Sequence, residues 1–293
     1  MSVKHLPELQ EDIDKLKREK KLSENNIYRS YIDELNFKIP EDFPDAKSII
    51  ICAVASKNLI LNCHLNGKKY ELILPSGYYL DGVTKADLHD FIFTNVIKEP
   101  GYDIKNASDL LHLKLLAVRS GLGKYGRNNI CYVDGMGSIL RLHGFFTNYE
   151  FKEDNWNKIQ LMNICETCRI CMNRCPSKCI REENFVIDVN KCVTLYNEID
   201  GEFPKWISLN AHNALFGCMR CQDRCPPNRD FITNYNVSTD LTERETKALL
   251  DNNISDDDVV LSVGNKLRLP EDLKVLKEVY FTVLSRNLSV LIK

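Results

Sequence analysis

Twelve cysteines are distributed very unevenly along this chain of 293 residues. Cys52, Cys63 and Cys131 are scattered, while nine fall between Cys165 and Cys225. The first dense run reads Cys165-x2-Cys168-x2-Cys171-x3-Cys175-Pro176, and the second reads Cys218-x2-Cys221-x3-Cys225-Pro226. Isolated Cys192 stands between them. The N-terminus, MSVKHLPELQEDIDKLKREKK, has no apolar stretch and no small-residue cleavage site of the kind that marks a secreted chain. A cytoplasmic location is therefore expected, where thiols stay reduced, so the cysteines point to metal rather than to disulfides.

The spacing narrows the metal. Three thiolates separated by two residues each can wrap three corners of one [4Fe–4S] cube, and the fourth, before a proline, turns away to a second cluster. Zinc sites instead pair their ligands across a longer spacer. The second run lacks one cysteine of a full half, and Cys192 is the natural replacement. Exchanging the fourth cysteine between halves gives two sets of four. The first is Cys165, Cys168, Cys171 and Cys225; the second is Cys175, Cys192, Cys218 and Cys221. Cys179 is surplus and reads as a small buried residue beside the clusters. Cys52 and Cys63 read as core.

Charge excludes other classes. The net charge is −2, without the basic stripe of a nucleic-acid binder. The basic run at 15–21 follows Glu11, Asp12 and Asp14 and reads as a solvated helix face. No stretch approaches 18 apolar residues, so no membrane partner is expected.

Patterning predicts an α+β chain. Helices are expected at about 7–22, 26–35 and 84–97. Another, capped by Asn106 or Ser108, is expected to run through Leu110 to Val118. The run at 48–54 reads as a buried strand, and Leu59–Leu65 with the strand after Asn66-Gly67 reads as a hairpin. Residues 130–133 and 138–146 read as two strands joined by the DGMG turn. The expected domains are 1–158, an α+β domain with N-terminal helices; 159–235, carrying the cysteines; and 236–293, a helical C-terminal extension.

Other signals are weaker. Gly121-Leu122-Gly123-Lys124-Tyr125-Gly126 matches the dinucleotide fingerprint literally, but a helix precedes it and a strand follows, the reverse of what that fingerprint requires. His112 and His143 lie near this segment as possible acids or bases. Tyr78, Tyr79, Asp81, Tyr102 and Asp103 sit in loops that can line a pocket.

The glycine segment (AVRSGLGKYGRNNICYVDGMGS), the first cysteine run, Cys192 and GCMRCQDRCPPN together resemble the epoxyqueuosine reductase family, over roughly 45–232. The resemblance implies a nitroreductase-like, cobalamin-binding α/β domain. After it would come a bacterial-ferredoxin-like double [4Fe–4S] domain and a helical tail. It implies the same cluster ligation, and it places Cys131, Leu142, Thr194 and Met219 along the cobalamin. Gln222 and Asn228 also match. The family's proton-donating Asp falls at Ala107, with no proline after it. Asp109, two residues on, is the substitute candidate. Lys124 stands where the family commonly has tryptophan.

The reading that results is an oxidoreductase taking electrons from a ferredoxin- or flavodoxin-type donor through two clusters to cobalamin. The reduced cofactor would act on a small-molecule or modified-nucleoside substrate, with tRNA put in question by the absent acid. The competing readings are an electron-transfer protein or corrinoid-reducing activator without substrate chemistry, and a structural iron–sulfur module.

Overall fold

The computed structural model describes residues 1–80, 82–183, 185–233 and 237–292. In chain order the elements begin α1 (Leu6–Arg18), α2 (Asn26–Asp33), β1 (Ser48–Ala55), β2 (Leu59–Leu65), β3 (Lys68–Leu74), α3 (Lys85–Asn95), β4 (Ile104–Asn106) and α4 (Leu113–Arg119). Next come β5 (Lys124–Tyr125), β6 (Cys131–Tyr132), β7 (Leu140–Thr147), α5 (Ile170–Arg174), α6 (Val193–Glu198) and β8 (Val237–Leu241). The chain ends with α7 (Glu243–Leu250), α8 (Asp257–Lys266), α9 (Leu273–Val275), a π-type stretch Leu276–Phe281 and α10 (Thr282–Leu291). The α+β class holds.

Two compact units form. One comprises Met1–Ala55, Gly82–Arg169 and Ile180–Val189; the other comprises Ser56–Asp81, Ile170–Cys179 and Asn190–Lys293. These units cut across the expected divisions at 158 and 235. The reason is strand pairing: the β2–β3 hairpin takes its third strand from β8, in the C-terminal segment.

The first unit is built on the antiparallel sheet β1-β7-β4. Alternate residues of a strand face opposite ways, and both faces here are covered. Ile49 pairs with Phe146 and both join one core with Leu9, Ile13, Leu115 and Leu116. The next pair, Ile50 and Phe145, joins the other core with Leu88 and Ile92. Helices α1 and α4 thus cover one face, and α3 covers the other. The α3 start is fixed by a reciprocal cap between Thr84 and Asp87, a device worth about 1 kcal/mol.

Two expectations in this unit change. The helix after β4 starts at Leu113, not at Leu110, and its cap is His112, whose Nδ1 accepts from the Leu115 N–H at 3.1 Å. Burial lowers the His112 pKa to about 4, so the ring is a neutral cap. The DGMG turn closes only a single bridge, Val133 to Gly137, and β6 pairs with β5 rather than with β7.

In the second unit, β2 and β3 form the expected hairpin. Asn66 and Gly67 both take positive φ, +51° and +73°, as a two-residue turn between twisted strands demands. Leu59, Leu61 and Leu74 pack with Leu241, Leu249, Val260, Phe281 and Leu288 in one core. The segment expected to be wholly helical therefore opens with a strand. Between Val237 and Leu241 it carries three polar residues, Ser238, Thr239 and Asp240, which hide that strand from hydrophobic patterning. Among the described residues no helix is long and apolar enough to cross a membrane.

Candidate iron–sulfur centre

The first unit holds Cys165 and Cys168. Cys165 sits in a tight turn, its N–H on Met162 O at 2.9 Å, and the Cys168 N–H follows on Ile164 O at 3.1 Å. Such turns satisfy the backbone donors at both cysteines. Two arginines then fix the carbonyls. Buried Arg127 donates its guanidinium to Cys165 O and to Glu182 O. Arg169 donates to Glu166 O at 3.0 Å and Cys168 O at 3.3 Å, and pairs with the Glu182 carboxylate.

The second unit holds Cys171, Cys175, Cys192, Cys218, Cys221 and Cys225. Short α5 carries Cys171 and ends just before Cys175, whose N–H bonds Cys171 O at 3.0 Å. Arg174 and Asp223 form a two-pronged ion pair, at 2.9 and 2.7 Å, which ties the first cysteine run to the second. Within the second run, the Asp223 N–H bonds Met219 O at 2.8 Å and the Cys225 N–H bonds Gln222 O at 3.1 Å. Fully buried Asn228 donates to Gln222 O, so Asn228 shapes the loop.

A hydrogen-bond network supports the approach to Cys218. Asn197 donates to Gly217 O at 2.7 Å and meets His212 Nδ1 at 2.9 Å. Asn287, from α10, donates to Asn197 O and Leu215 O, both at 2.9 Å. Gly217 has φ +61°, and a Cβ there would stand 2.4 Å from the Tyr78 hydroxyl oxygen. Only glycine lets this turn form against the Tyr78 ring. The Tyr78 hydroxyl in turn bonds the Glu198 carboxylate.

Cys179 meets Cys175 and Cys192 in turn. Cys175 Sγ is 3.4 Å from Cys179 Sγ, and Cys179 also hydrogen-bonds Cys192. The hydrogen bond from Cys179, then Ser177, bring the Cys175 thiol down to about 5 against the opposing effect of burial. Cys179 likewise leads in lowering Cys192 to about 7, helped by the N–H and hydroxyl of Thr194. The proton stays on Cys179, whose pKa those two bonds and burial push up. Burial raises Cys218 to about 12. Among the described residues no three His, Cys, Asp or Glu side chains close on a single point as one ion would need. An iron–sulfur cube asks instead for one thiolate per iron corner, and an all-thiol donor set with two acidified members suits it.

The other sequence candidates are dispersed. Cys131 and Leu142 lie in the first unit, Thr194 and Met219 in the second. Cys131 and Met219 are each 3% exposed. Cys131 backs the glycine segment: a Cβ on Gly123 would stand 2.7 Å from its sulfur, and one on Gly126 would stand 2.6 Å from the Tyr132 ring. Close packing between neighbouring strands accounts for these glycines. Beside them lies a polar groove of about 390 Å³ lined by Ser120, Gly121, Lys124, Asn157 and Gln160 among others. Ala107 is fully buried, its N–H on Gly144 O at 2.8 Å. A carboxylate there would be buried among apolar residues at high cost. Asp109 is exposed, and accepts from Asn106 at 2.9 Å and Lys85 at 3.3 Å. Tyr78 and Tyr79 belong to the second unit, Tyr102 and Asp103 to the first; Asp81 lies outside the described residues. His143 faces Cys52 in the β1–β7 register.

The sequence reading missed Arg127, Asn197 and Asn287, single residues whose partners are remote in the chain. It read Cys179 as a small buried residue beside the clusters, and the side chain is indeed buried, with its sulfur on Cys175.

Residues 164–228 match the family described as a 4Fe–4S double cluster binding domain. Epoxyqueuosine reductase of Staphylococcus aureus is 28% identical over 233 residues, covering 75% of this chain and 59% of its own length. The chain thus spans little more than half of that relative. The structure of epoxyqueuosine reductase from Streptococcus thermophilus superposes with a TM-score of 0.66 at 18% identity, over 100% of this chain and 75% of that one. A crystal structure of epoxyqueuosine reductase with an epoxyqueuosine-modified tRNA-Tyr stem loop gives 0.55 at 19% identity, over 85% of this chain and 65% of that one. The chain carries a 4Fe–4S double cluster binding domain at 164–228 and is a divergent relative of the epoxyqueuosine reductases.

Proposed function

We propose that this protein is an iron–sulfur reductase with one cluster on Cys165, Cys168, Cys171 and Cys225 and the other on Cys175, Cys192, Cys218 and Cys221. The observation that carries this reading is the joining of the two cysteine runs by the Arg174–Asp223 pair inside a matched double-cluster segment. When bound, the clusters supply one-electron storage and transfer. The chain's own residues hold the cysteine loops in place: Arg127 and Arg169 through carbonyls, Asn197 and Asn287 through the backbone before Cys218, and Arg174–Asp223 by joining the two runs.

The reading extends, on the resemblance, to a cobalamin that takes electrons from the clusters and to epoxyqueuosine in tRNA as the first substrate to test. A ferredoxin- or flavodoxin-type donor would feed the clusters. The fit to cobalamin is partial: Leu142 and Thr194 keep exposed surface, whereas Cys131 and Met219 are buried. No step is therefore derived through that group. A second reading, an electron-transfer protein or corrinoid-reducing activator, is favoured by the buried Ala107 and by Asp109 being engaged with Lys85.

The test is anaerobic purification, reconstitution and titration. About eight irons per chain are expected for two four-iron clusters, with a saturable change in the cobalamin spectrum. Four irons or fewer would sink the two-cluster assignment. Eight irons without cobalamin binding would remove the reductase reading and leave the electron carrier. Turnover of epoxyqueuosine tRNA, with retention in Asp109→Asn, would discard Asp109 as proton donor.

A further inference from the structure

Cys179 belongs to neither ligand set, yet its position is not that of an ordinary core residue. It is 3% exposed, its sulfur lies 3.4 Å from Cys175 Sγ, and it hydrogen-bonds Cys192 as well. It therefore stands between two thiols assigned to one cluster. Two sulfurs this close cannot each terminate a separate iron without being driven apart, so Cys179 is placed to serve the ligands rather than to join them.

We propose that Cys179 is a positioning and tuning residue, its S–H donating a hydrogen bond to the ligand sulfurs of Cys175 and Cys192 and thereby raising the reduction potential of the second cluster. The proposal rests on the assignment of those two cysteines as ligands. A hydrogen bond to a ligating sulfur stabilises the more negative, reduced state in preference to the oxidised one. Cys179 has a single proton, so it serves one sulfur at a time. Each has other donors: Ser177 lies 3.5 Å from Cys175 Sγ, and Thr194 offers its hydroxyl and N–H to Cys192. The couple gains one electron, the proton remains on Cys179, and no bond forms or breaks. Burial strengthens the effect, since water cannot replace the lost donor.

The test uses the full chain, reconstituted anaerobically and titrated electrochemically with electron paramagnetic resonance as the readout. Cys179→Ala should keep about eight irons, the content of two four-iron clusters, and lower one of the two midpoints while leaving the other alone. The expected fall corresponds to about a threefold lower ratio of reduced to oxidised cluster at fixed poise, about 28 mV on the scale of about 59 mV per tenfold for one electron. Cys179→Ser keeps a donor and should recover most of that shift. If Cys179→Ala fails to accumulate, Cys179→Val against Cys179→Ser gives the same contrast of no donor against donor. Two unchanged midpoints in the variant without a donor would overturn the proposal and leave the ligand sets standing. Loss of four irons in Cys179→Ala with full retention in Cys192→Ala would instead overturn the ligand assignment itself and make Cys179 the ligand.

Discussion

The two units support their cysteine loops with different chemistry. In the first, the loop at 165–168 hangs on cations: the guanidinium of Arg127 on Cys165 O and Glu182 O, and that of Arg169 on Glu166 O and Cys168 O. In the second, the turn before Cys218 hangs on neutral amides, Asn197 on Gly217 O and Asn287 on Asn197 O and Leu215 O. A charged donor makes the stronger bond, but it loses more hydration on burial and leaves more behind when removed. Neutral amides spread a similar task over several weaker links. The first arrangement concentrates its buried charge on Arg127; the second, through Asn197 and Asn287, carries none.

The largest effect should come from that concentration. Replacing Arg127 by leucine keeps an apolar stem but strips two buried carbonyls of their donor, at an expected cost of about 4 kcal/mol. Urea unfolding would read the loss, and iron content after reconstitution would fall with it, because the Cys165 turn loses its anchor. A cost comparable to an exposed arginine would show that the carbonyls find other partners and would erase the contrast between the units.

Asn287→Leu asks the same question of the neutral network. Two carbonyls again lose their donor, but the bonds removed are uncharged, so the expected loss is about 3 kcal/mol. The side chain is fully buried and leucine is close in volume, which keeps cavity formation out of the comparison. If Asn287→Leu costs more than Arg127→Leu, the amide network is the more concentrated support and the contrast runs the other way.

The same contrast explains what was legible in the sequence. Local signals were readable: the cysteine runs, the Asn66-Gly67 hairpin, and the helix starts at Thr84 and Thr242, each with an acidic residue three positions on. Strand β8 was not, because its five residues offer just Val237 and Leu241 as an apolar face, too short a pattern to stand out. The start of α4 was misplaced because Leu110 and Leu111 continue the apolar run, whereas the cap is a histidine at 112. Arg127, Asn197 and Asn287 declare themselves only through partners that folding brings near, so no window of sequence contains their role. The cysteine runs were visible and their supports were not.

Glu245 shows where the second unit does keep a buried charge, away from its cysteines. Its side chain is 8% exposed against Lys266, within a cap shared with Thr242 and a bond from Ser262. Burial alone would raise this carboxyl, but Lys266, Ser262 and Thr242 outweigh it and hold it at about 2. A carboxyl whose pKa is lowered on folding adds stability above its ordinary pKa near 4.5, and loses it as pH falls toward the folded value. Glu245→Gln should therefore cost about 1.5 kcal/mol at pH 7, a discounted share of the full shift because Lys266 is partly in water. The deficit should shrink as pH falls from about 4.5 toward 2, as the wild-type carboxyl itself takes up its proton. Urea midpoints at pH 7, 4 and 3 would check this. A deficit that stayed constant across that range would mean that the cap geometry, which glutamine preserves poorly, matters more than the charge. Glu245 would then serve the second unit through geometry rather than charge, which leaves Arg174–Asp223 as the charged link at its cysteine runs.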